Sequence, residues 1–226
     1  MCECIVQNVS STDFVAGFAH VNAHGISTPP DTESEGLTSW PAPPLSDRQR
    51  VIKPKMNVIA IRKRDGVLEN VTVRWGWSPV WAMGTMSPRS HLPLHLVMRS
   101  RVFDRVRREG RVLVAVDGWY ELQSGDQFAR PRFNYTTSRK SPPIYLAALA
   151  QISETPNGCD GLVLLTHGAG GSNQQRMLAF SGDDALGWLQ PDLQWEQAQE
   201  MALHAAVAEP QLEHVLPMRQ MLHELR

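Results

Sequence analysis

Apolar and polar residues alternate with period two in several short stretches of this 226-residue chain, the signature of half-buried strands. Residues 3–8 begin the series. Residues 57–62 alternate again, Asp65-Gly66 supplies a hairpin turn, and residues 70–77 form the returning strand. The run Val112, Leu113, Val114, Ala115, Val116 is apolar throughout and predicts a fully buried strand ending at Asp117-Gly118. Further strands are expected at 132–137, 143–152, 162–166 and 176–180. Near the N-terminus the period changes: Phe14, Val15, Phe18, Ala19 and Val21 recur at helical spacing behind the N-cap candidates Ser11 and Thr12. Helices are also expected at 102–108, 183–189 and 196–208, the last with Ala198, Met201, Ala202 and Ala205 on one face. Met218, Met221, Leu222 and Leu225 suit a further amphipathic turn. Prolines break the pattern over 29–45 and 79–93, so both are read as loops. Many strands with helices toward the ends predict an α+β fold rather than alternating βαβ units. We read residues 1–226 as a single domain, with 29–45 a Pro-rich loop and 190–226 a helical C-terminal part.

Composition narrows the setting. The chain has three cysteines, Cys2, Cys4 and Cys159, and no C-x-x-C pair. This excludes a disulfide framework or zinc ribbon and fits a reducing cytoplasm. No apolar run approaches the length of a membrane span, and no signal pattern opens the chain, so a cytoplasmic protein without a membrane partner is expected. The net charge of −1 conceals an asymmetry: between residues 48 and 140 stand 19 Lys and Arg against 7 Asp and Glu. Eighteen of the 22 basic residues are arginine, which grips phosphate with a two-pronged fork and stacks on flat rings. A basic middle between acidic ends points to an anionic partner, nucleic acid first, while some of these charges simply solvate strand edges.

Three constellations carry candidate chemistry. Cys2 becomes a 1,2-aminothiol once Met1 is trimmed. Its amine forms an imine with an aldehyde, and its thiol closes that imine into a five-membered thiazolidine; both groups ionise near enough to neutrality to react. The blander reading is a small buried side chain. Second, Arg99, Arg101, Arg105, Arg107, Arg108 and Arg111 form the densest basic run, with Trp75, Trp77, Trp81 and Trp119 around it. Rings among arginines suit single-stranded nucleic acid, whose bases stack while its backbone follows positive charge. Trp75 and Trp77 fall on one face of a strand and are equally candidates for the core; Trp81, in a Pro-flanked loop, is the better exposed platform. Third, Glu121 follows a buried strand and neighbours Trp119 and Tyr120, a setting for acid/base work or for an ordinary solvated turn. His20/His24 has no evident third ligand, and Pro93 between His91 and His95 argues against a helix there, so no metal is expected. The glycine-rich turn at 168–172 lacks the context of a nucleotide loop, and no cofactor is expected. His167 ends a strand beside that turn.

Met1-Cys2, Arg74-Trp75-Gly76-Trp77-Ser78-Pro79-Val80-Trp81, Val97-Met98-Arg99-Ser100, Asp117-Gly118-Trp119-Tyr120-Glu121 and Arg176-Met177 lie in order along the chain. As an ordered set they resemble the SOS-response-associated peptidase (SRAP) family of abasic-site processing proteins, over residues 1 to about 189. The resemblance implies a mixed, partly barrel-like β-sheet core flanked by helices. It implies autocatalytic removal of Met1, binding of single-stranded DNA, and a thiazolidine crosslink between Cys2 and an abasic site. Within that pattern Glu121 assists proton transfer and Arg99 contacts DNA phosphate. The family's Asn falls on Val97 and its His on Gln174, two degenerate catalytic positions, and His167 is a candidate substitute. The family's M-C-G-R has become Met1-Cys2-Glu3-Cys4, and the Glu of its N-A-R-x-E has become Arg101.

Three readings follow. The first is an abasic-site crosslinking protein with Cys2 and Glu121 catalytic and Arg99, Arg101, Arg105, Trp75, Trp77 and Trp81 on the DNA. The second is a single-stranded DNA-binding module without crosslinking. The third is a thiol peptidase acting in trans or a scaffold with a buried Cys2.

Overall fold

A computed structural model describes residues 2–8, 14–15, 18, 49–82, 84–123, 132–139, 143–155, 158–168, 175–206 and 212–215. Thirteen strands and four α-helices occur among them. The strands are β1 (Cys2–Asn8), β2 (Gln49–Ile52), β3 (Asn57–Arg64), β4 (Val67–Arg74), β5 (His91–Pro93), β6 (Arg111–Val116), β7 (Gly118–Gln123), β8 (Arg132–Ser138), β9 (Ile144–Gln151), β10 (Gly161–His167), β11 (Arg176–Met177), β12 (Ala179–Phe180) and β13 (Leu212–Val215). The helices are α1 (Leu94–Arg99), α2 (Asp104–Glu109), α3 (Gly182–Trp188) and α4 (Trp195–Ala205).

The strands form two sheets. One runs β13-β8-β7-β1-β2; the other runs β11-β10-β9-β6-β3-β4, with β12 beside β9 and β5 beside β10. The α+β expectation stands. Neither sheet closes into a full barrel, but the larger one bends partway round: directly after β4, Trp75 bridges to Leu162 of β10, whose carbonyl accepts from Gly76 N (2.8 Å).

The larger sheet is the middle layer. Along β6, Leu113 and Ala115 face a core shared with Val97, Val106, Trp188 and Ala198 of the helices. Val112, Val114 and Val116 face the opposite core, shared with Ile5 of β1 and Trp119 of β7. Burial on both faces is why β6 is apolar at every position but the first. The smaller sheet is the third layer, and its outer face carries Cys4, Val6, Tyr120, Tyr135 and Val215. Gln7 bridges the layers: its amide donates to Ile59 O (2.9 Å) and Ala115 O (2.8 Å), and its oxygen accepts from Ile59 N (3.2 Å). A buried amide paired this fully is not a liability.

Several expectations shift at this level. The hairpin at Asp65-Gly66 is present, with β3 and β4 paired from Asn57↔Arg74 to Arg64↔Val67. The stretch 79–93 is not all loop, since it contains a 3-10 turn (Val80–Ala82) and ends in β5. Beyond residue 190 the chain is not purely helical: after α4 it adds β13 to the edge of β8. Of the expected first helix, Phe14, Val15 and Phe18 are described, Phe14 and Phe18 buried and Val15 packed against the same core, with Phe18 stacked on Tyr145 (centroids 4.6 Å). The rest of that helix, the 29–45 loop and residues 218–225 lie outside the described residues. No helix among the described residues is long and apolar enough to cross a membrane.

Glycine is required at 118 by close packing. A Cβ there would lie 2.5 Å from Thr136 O and 2.6 Å from the Tyr135 ring. Gly118→Ala must therefore push β8 away from β7, costing about 1–3 kcal/mol. Urea unfolding should show a lower midpoint at unchanged slope; an unchanged midpoint would mean that β8 yields freely.

Candidate functional site

The first strand sets the geometry. From Asn8 back to Cys4, β1 alternates regularly, with Ile5 turned inward between the sheets and Cys4 and Val6 outward. Its antiparallel register on β7 pairs Ile5 with Trp119 and Cys4 with Tyr120, then shifts by one residue, so that Cys2 rather than Glu3 stands opposite Glu121. Regular alternation would turn Cys2 outward with Cys4. The extra residue places it in the inner cluster with Ile5, Trp75 and Trp119. It also avoids setting Glu3 directly opposite Glu121, a like-charge pair that a sheet disfavours.

Cys2 is 3% exposed, and its thiol lies 3.4 Å from Cys4 O. None of the three cysteines is in a disulfide. Trp119 is buried, and its indole N–H donates to Glu121 Oε1 at 2.7 Å, which fixes the carboxylate on the inner side of β7. The D-G-W-Y-E motif thus acquires a division of labour. Asp117 is the corner between the sheets: its N–H donates to Val6 O (2.8 Å), its carbonyl accepts from Thr137 Oγ1 (2.6 Å), and its carboxylate accepts from Gln49 Nε2 (2.5 Å). Burial raises the Asp117 carboxyl above its ordinary range, and the Gln49 hydrogen bond opposes that rise. Gly118 admits β8, Trp119 holds the carboxylate, and Glu121 faces Cys2.

The other sequence candidates separate. Trp75 is wholly buried, with its N–H donating to Ser90 O (2.9 Å), and Trp77 packs against Phe103. Trp75 presents no face to a base, and Trp77, 5% exposed, reaches only the wall of the cavity beside Trp81. Trp81 itself presents a face, at 68% exposure, on the rim of this cavity of about 250 Å³, which is lined with Pro79, Met86, Arg89, Val102 and Phe103. Arg99, Arg101, Arg105 and Arg108 are exposed on the neighbouring segment, Arg105 at 3.3 Å from Glu109. Arg107 and Arg111 are structural. The first pairs with Asp104 and lies over Trp195; the second donates to Leu193 O and Gln190 O.

Val97 lies in the core between the larger sheet and the helices, whereas Cys2 lies in the core on that sheet's other side. An apolar residue on α1 is there for packing. Gln174 lies outside the described residues; its neighbour Gln175 accepts from Thr166 Oγ1 at 2.7 Å. His167 pairs with Arg176 at the end of β10, and burial, then Arg176, lowers its pKa.

In the sequence His91 stands out only as half of an i,i+4 pair with His95. It belongs to β5, opposite Leu164 of β10, with its ring edge-on to Trp75 (centroids 5.6 Å) and Nδ1 3.0 Å from Ser90 Oγ. Its Nε2 is buried and has no hydrogen-bond partner among the described residues. Burial lowers its pKa to about 4, helped by the positive charge of the chain's amino terminus. The available signal was its position beside Ser90 and before the apolar Leu92 and Leu94. Among the described residues no three His, Cys, Asp or Glu side chains converge as a metal site would require.

The model of the SOS response associated peptidase (SRAP) family matches residues 26–220. The abasic site processing protein YedK of Escherichia coli K12 is 25% identical over 161 residues, covering 69% of this chain and 71% of that protein. Among solved structures, a phage-related protein of Bordetella bronchiseptica aligns with TM-score 0.72 at 21% identity, over 97% of this chain and 95% of its own. A protein of Bacteroides thetaiotaomicron aligns with TM-score 0.63 at 12% identity, over 76% and 79%. These two likenesses concern the fold.

The His91 imidazole makes a prediction about stability. Its folded pKa lies below its unfolded value, so between pH 6.5 and about 4 the unfolded chain binds a proton that the folded chain does not. Stability from this group is complete above pH 6.5 and is lost as pH falls toward 4, by about 3 kcal/mol in all. The carboxylates are common to wild type and His91→Asn, so the difference between their melting curves from pH 7 to 4 isolates the histidine. The wild type should lose more stability on acidification; parallel curves would show that His91 is protonated without cost.

Proposed function

Because the chain belongs to the SOS response associated peptidase family, we propose that it processes abasic sites in DNA, with Cys2 as the reacting group. The single observation that carries the reading is the shifted β1–β7 register, which sets Cys2 opposite Glu121 on the inner face. The match to YedK supports the substrate class, since that relative is described as an abasic site processing protein.

The chemistry follows from the residues. Removal of Met1 frees the Cys2 α-amine. The amine nitrogen attacks the C1′ aldehyde of an opened abasic sugar, and the carbinolamine loses its hydroxyl as water to give an imine. The Cys2 sulfur then adds to the imine carbon while its proton passes to nitrogen, closing a thiazolidine with net loss of one water. Glu121 serves as the proton carrier, donating to the leaving hydroxyl and the opening sugar oxygen and taking the proton back from the thiol. Single-stranded DNA lies along the exposed Arg99, Arg101 and Arg105, with Trp81 stacking on a base beside the cavity.

A second reading is favoured by the low exposure of Cys2: a module that holds single-stranded DNA on the same arginines and performs no chemistry. Denaturing gels separate the two. With an abasic single-stranded oligonucleotide the first reading predicts a covalent band absent in Cys2→Ala and formed roughly 100-fold more slowly in Glu121→Gln. The second predicts salt-sensitive binding and no band. Under both, Trp81→Ala weakens binding by about 1–3 kcal/mol. Replacing Arg99 and Arg105 together reduces the salt slope by about 0.7 for each phosphate no longer neutralised. Binding indifferent to all three changes would remove this face from the DNA path.

A further inference from the structure

The geometry points to His91 as a positioning residue for Cys2, its Nε2 accepting a hydrogen bond from the Cys2 α-amine and turning the nitrogen lone pair toward an incoming aldehyde. This inference rests on the aminothiol reading of Cys2. It assigns a role to a buried group that neither the motifs nor the helper positions at 97, 167 and 174 account for.

Three observations carry it. First, the imidazole is held on both sides. Its ring sits edge-on to Trp75, which packs in the inner cluster with Cys2, and its Nδ1 is 3.0 Å from Ser90 Oγ. Ser90 is itself pinned, because its carbonyl accepts from both Trp75 Nε1 (2.9 Å) and Leu164 N (3.0 Å). A ring fixed in this way keeps one orientation. Second, the other nitrogen is buried and unpaired among the described residues. A buried polar atom without a partner is costly, and a reacting group that completes it is one of the physical reasons a fold retains one. Third, the positive charge of the chain's amino terminus, on the residue before Cys2, helps lower the pKa of the ring.

The hydrogen-bond pattern fixes the role. When Nδ1–H donates to Ser90 Oγ, the lone pair stands on Nε2, and a hydrogen-bond donor such as an amine N–H completes it. Burial keeps the imidazole neutral at physiological pH, so the lone pair stays available. A neutral acceptor orients an amine without competing for its proton. Glu121 remains the proton carrier, opposite Cys2 on the other strand. The two groups thus divide the work, His91 on the nitrogen and Glu121 on the oxygen that leaves.

The test uses full-length protein in which Cys2 is exposed by site-specific proteolysis of an N-terminal tag, in wild type and variants alike. Met1 processing is thereby removed as a variable. Two rates are followed by intact mass: adduct formation with an abasic single-stranded oligonucleotide, and condensation with 2-cyanobenzothiazole, which reacts with a 1,2-aminothiol and needs no DNA. His91→Leu should slow both by about tenfold, while His91→Asn, whose amide oxygen also accepts a hydrogen bond, should recover to within about threefold of wild type. Affinity for an undamaged oligonucleotide should be equal in all three. Rates in His91→Leu matching wild type would overturn the inference, as would equal slowing in both variants. If wild type condenses with 2-cyanobenzothiazole and forms no adduct with abasic DNA, the crosslinking reading fails, and the order of the three condensation rates still decides the role of His91.

Discussion

One extra residue at the start of β1 governs the site. A β-strand presents its side chains alternately, so Cys2 and Cys4 belong on one face unless the ladder is broken. It is broken between them, and Cys2 turns inward opposite Glu121 while Cys4 stays outside. Everything that holds β1 in register therefore also positions Cys2. Gln7 ties the strand to Ile59 and Ala115 of the middle layer, Asp117 ties it to the β6–β7 corner, and Gly118 lets β7 and β8 close together. The register of a two-faced strand is strongly specified because a slip would exchange Ile5 and Trp119 for Cys4 and Tyr120 in the inner core.

The three-layer arrangement explains why the tryptophans part company. Trp75 packs in the inner cluster with Cys2 and Trp119, and Trp77 packs in the core on the helix side of the larger sheet. Trp75 in particular fixes Ser90 and backs His91. Trp81 sits beyond the sheet on a short turn, with a cavity beside it and exposed arginines along the next segment. One motif thus supplies both an internal support and an external surface. The basic middle of the sequence divides in the same way. Arg107 and Arg111 secure the helices through carbonyl groups, and Arg99, Arg101 and Arg105 face solvent.

What the sequence made legible follows from these interactions. The β3–β4 hairpin and β6 were readable because alternation, a turn dipeptide and a continuous apolar run are local signals. Strand β7 was not, because Trp119 and Tyr120 are buried on opposite faces and leave no alternation to detect. Strand β13 joins the sheet through backbone pairing with β8, which its side chains do not announce. At the site, Cys2 and Glu121 were legible as motif residues, but the shift that brings them opposite each other was not. His91 escaped because its partners come from Ser90, Trp75 and β10 rather than from the i,i+4 position where a helix would have put one. The assignment at Val97 fell on α1, whose inward face is core by helical spacing.

The central claim is that this register makes Cys2 an aldehyde-reactive terminus. Intact mass of the full-length protein, before and after incubation with an abasic single-stranded oligonucleotide, tests it most directly when followed by peptide mapping. The expected result is loss of the Met1 residue mass, then a gain equal to the oligonucleotide less one water, mapped to the peptide that begins at Cys2. A processed terminus whose mass stays unchanged with the abasic oligonucleotide would contradict it.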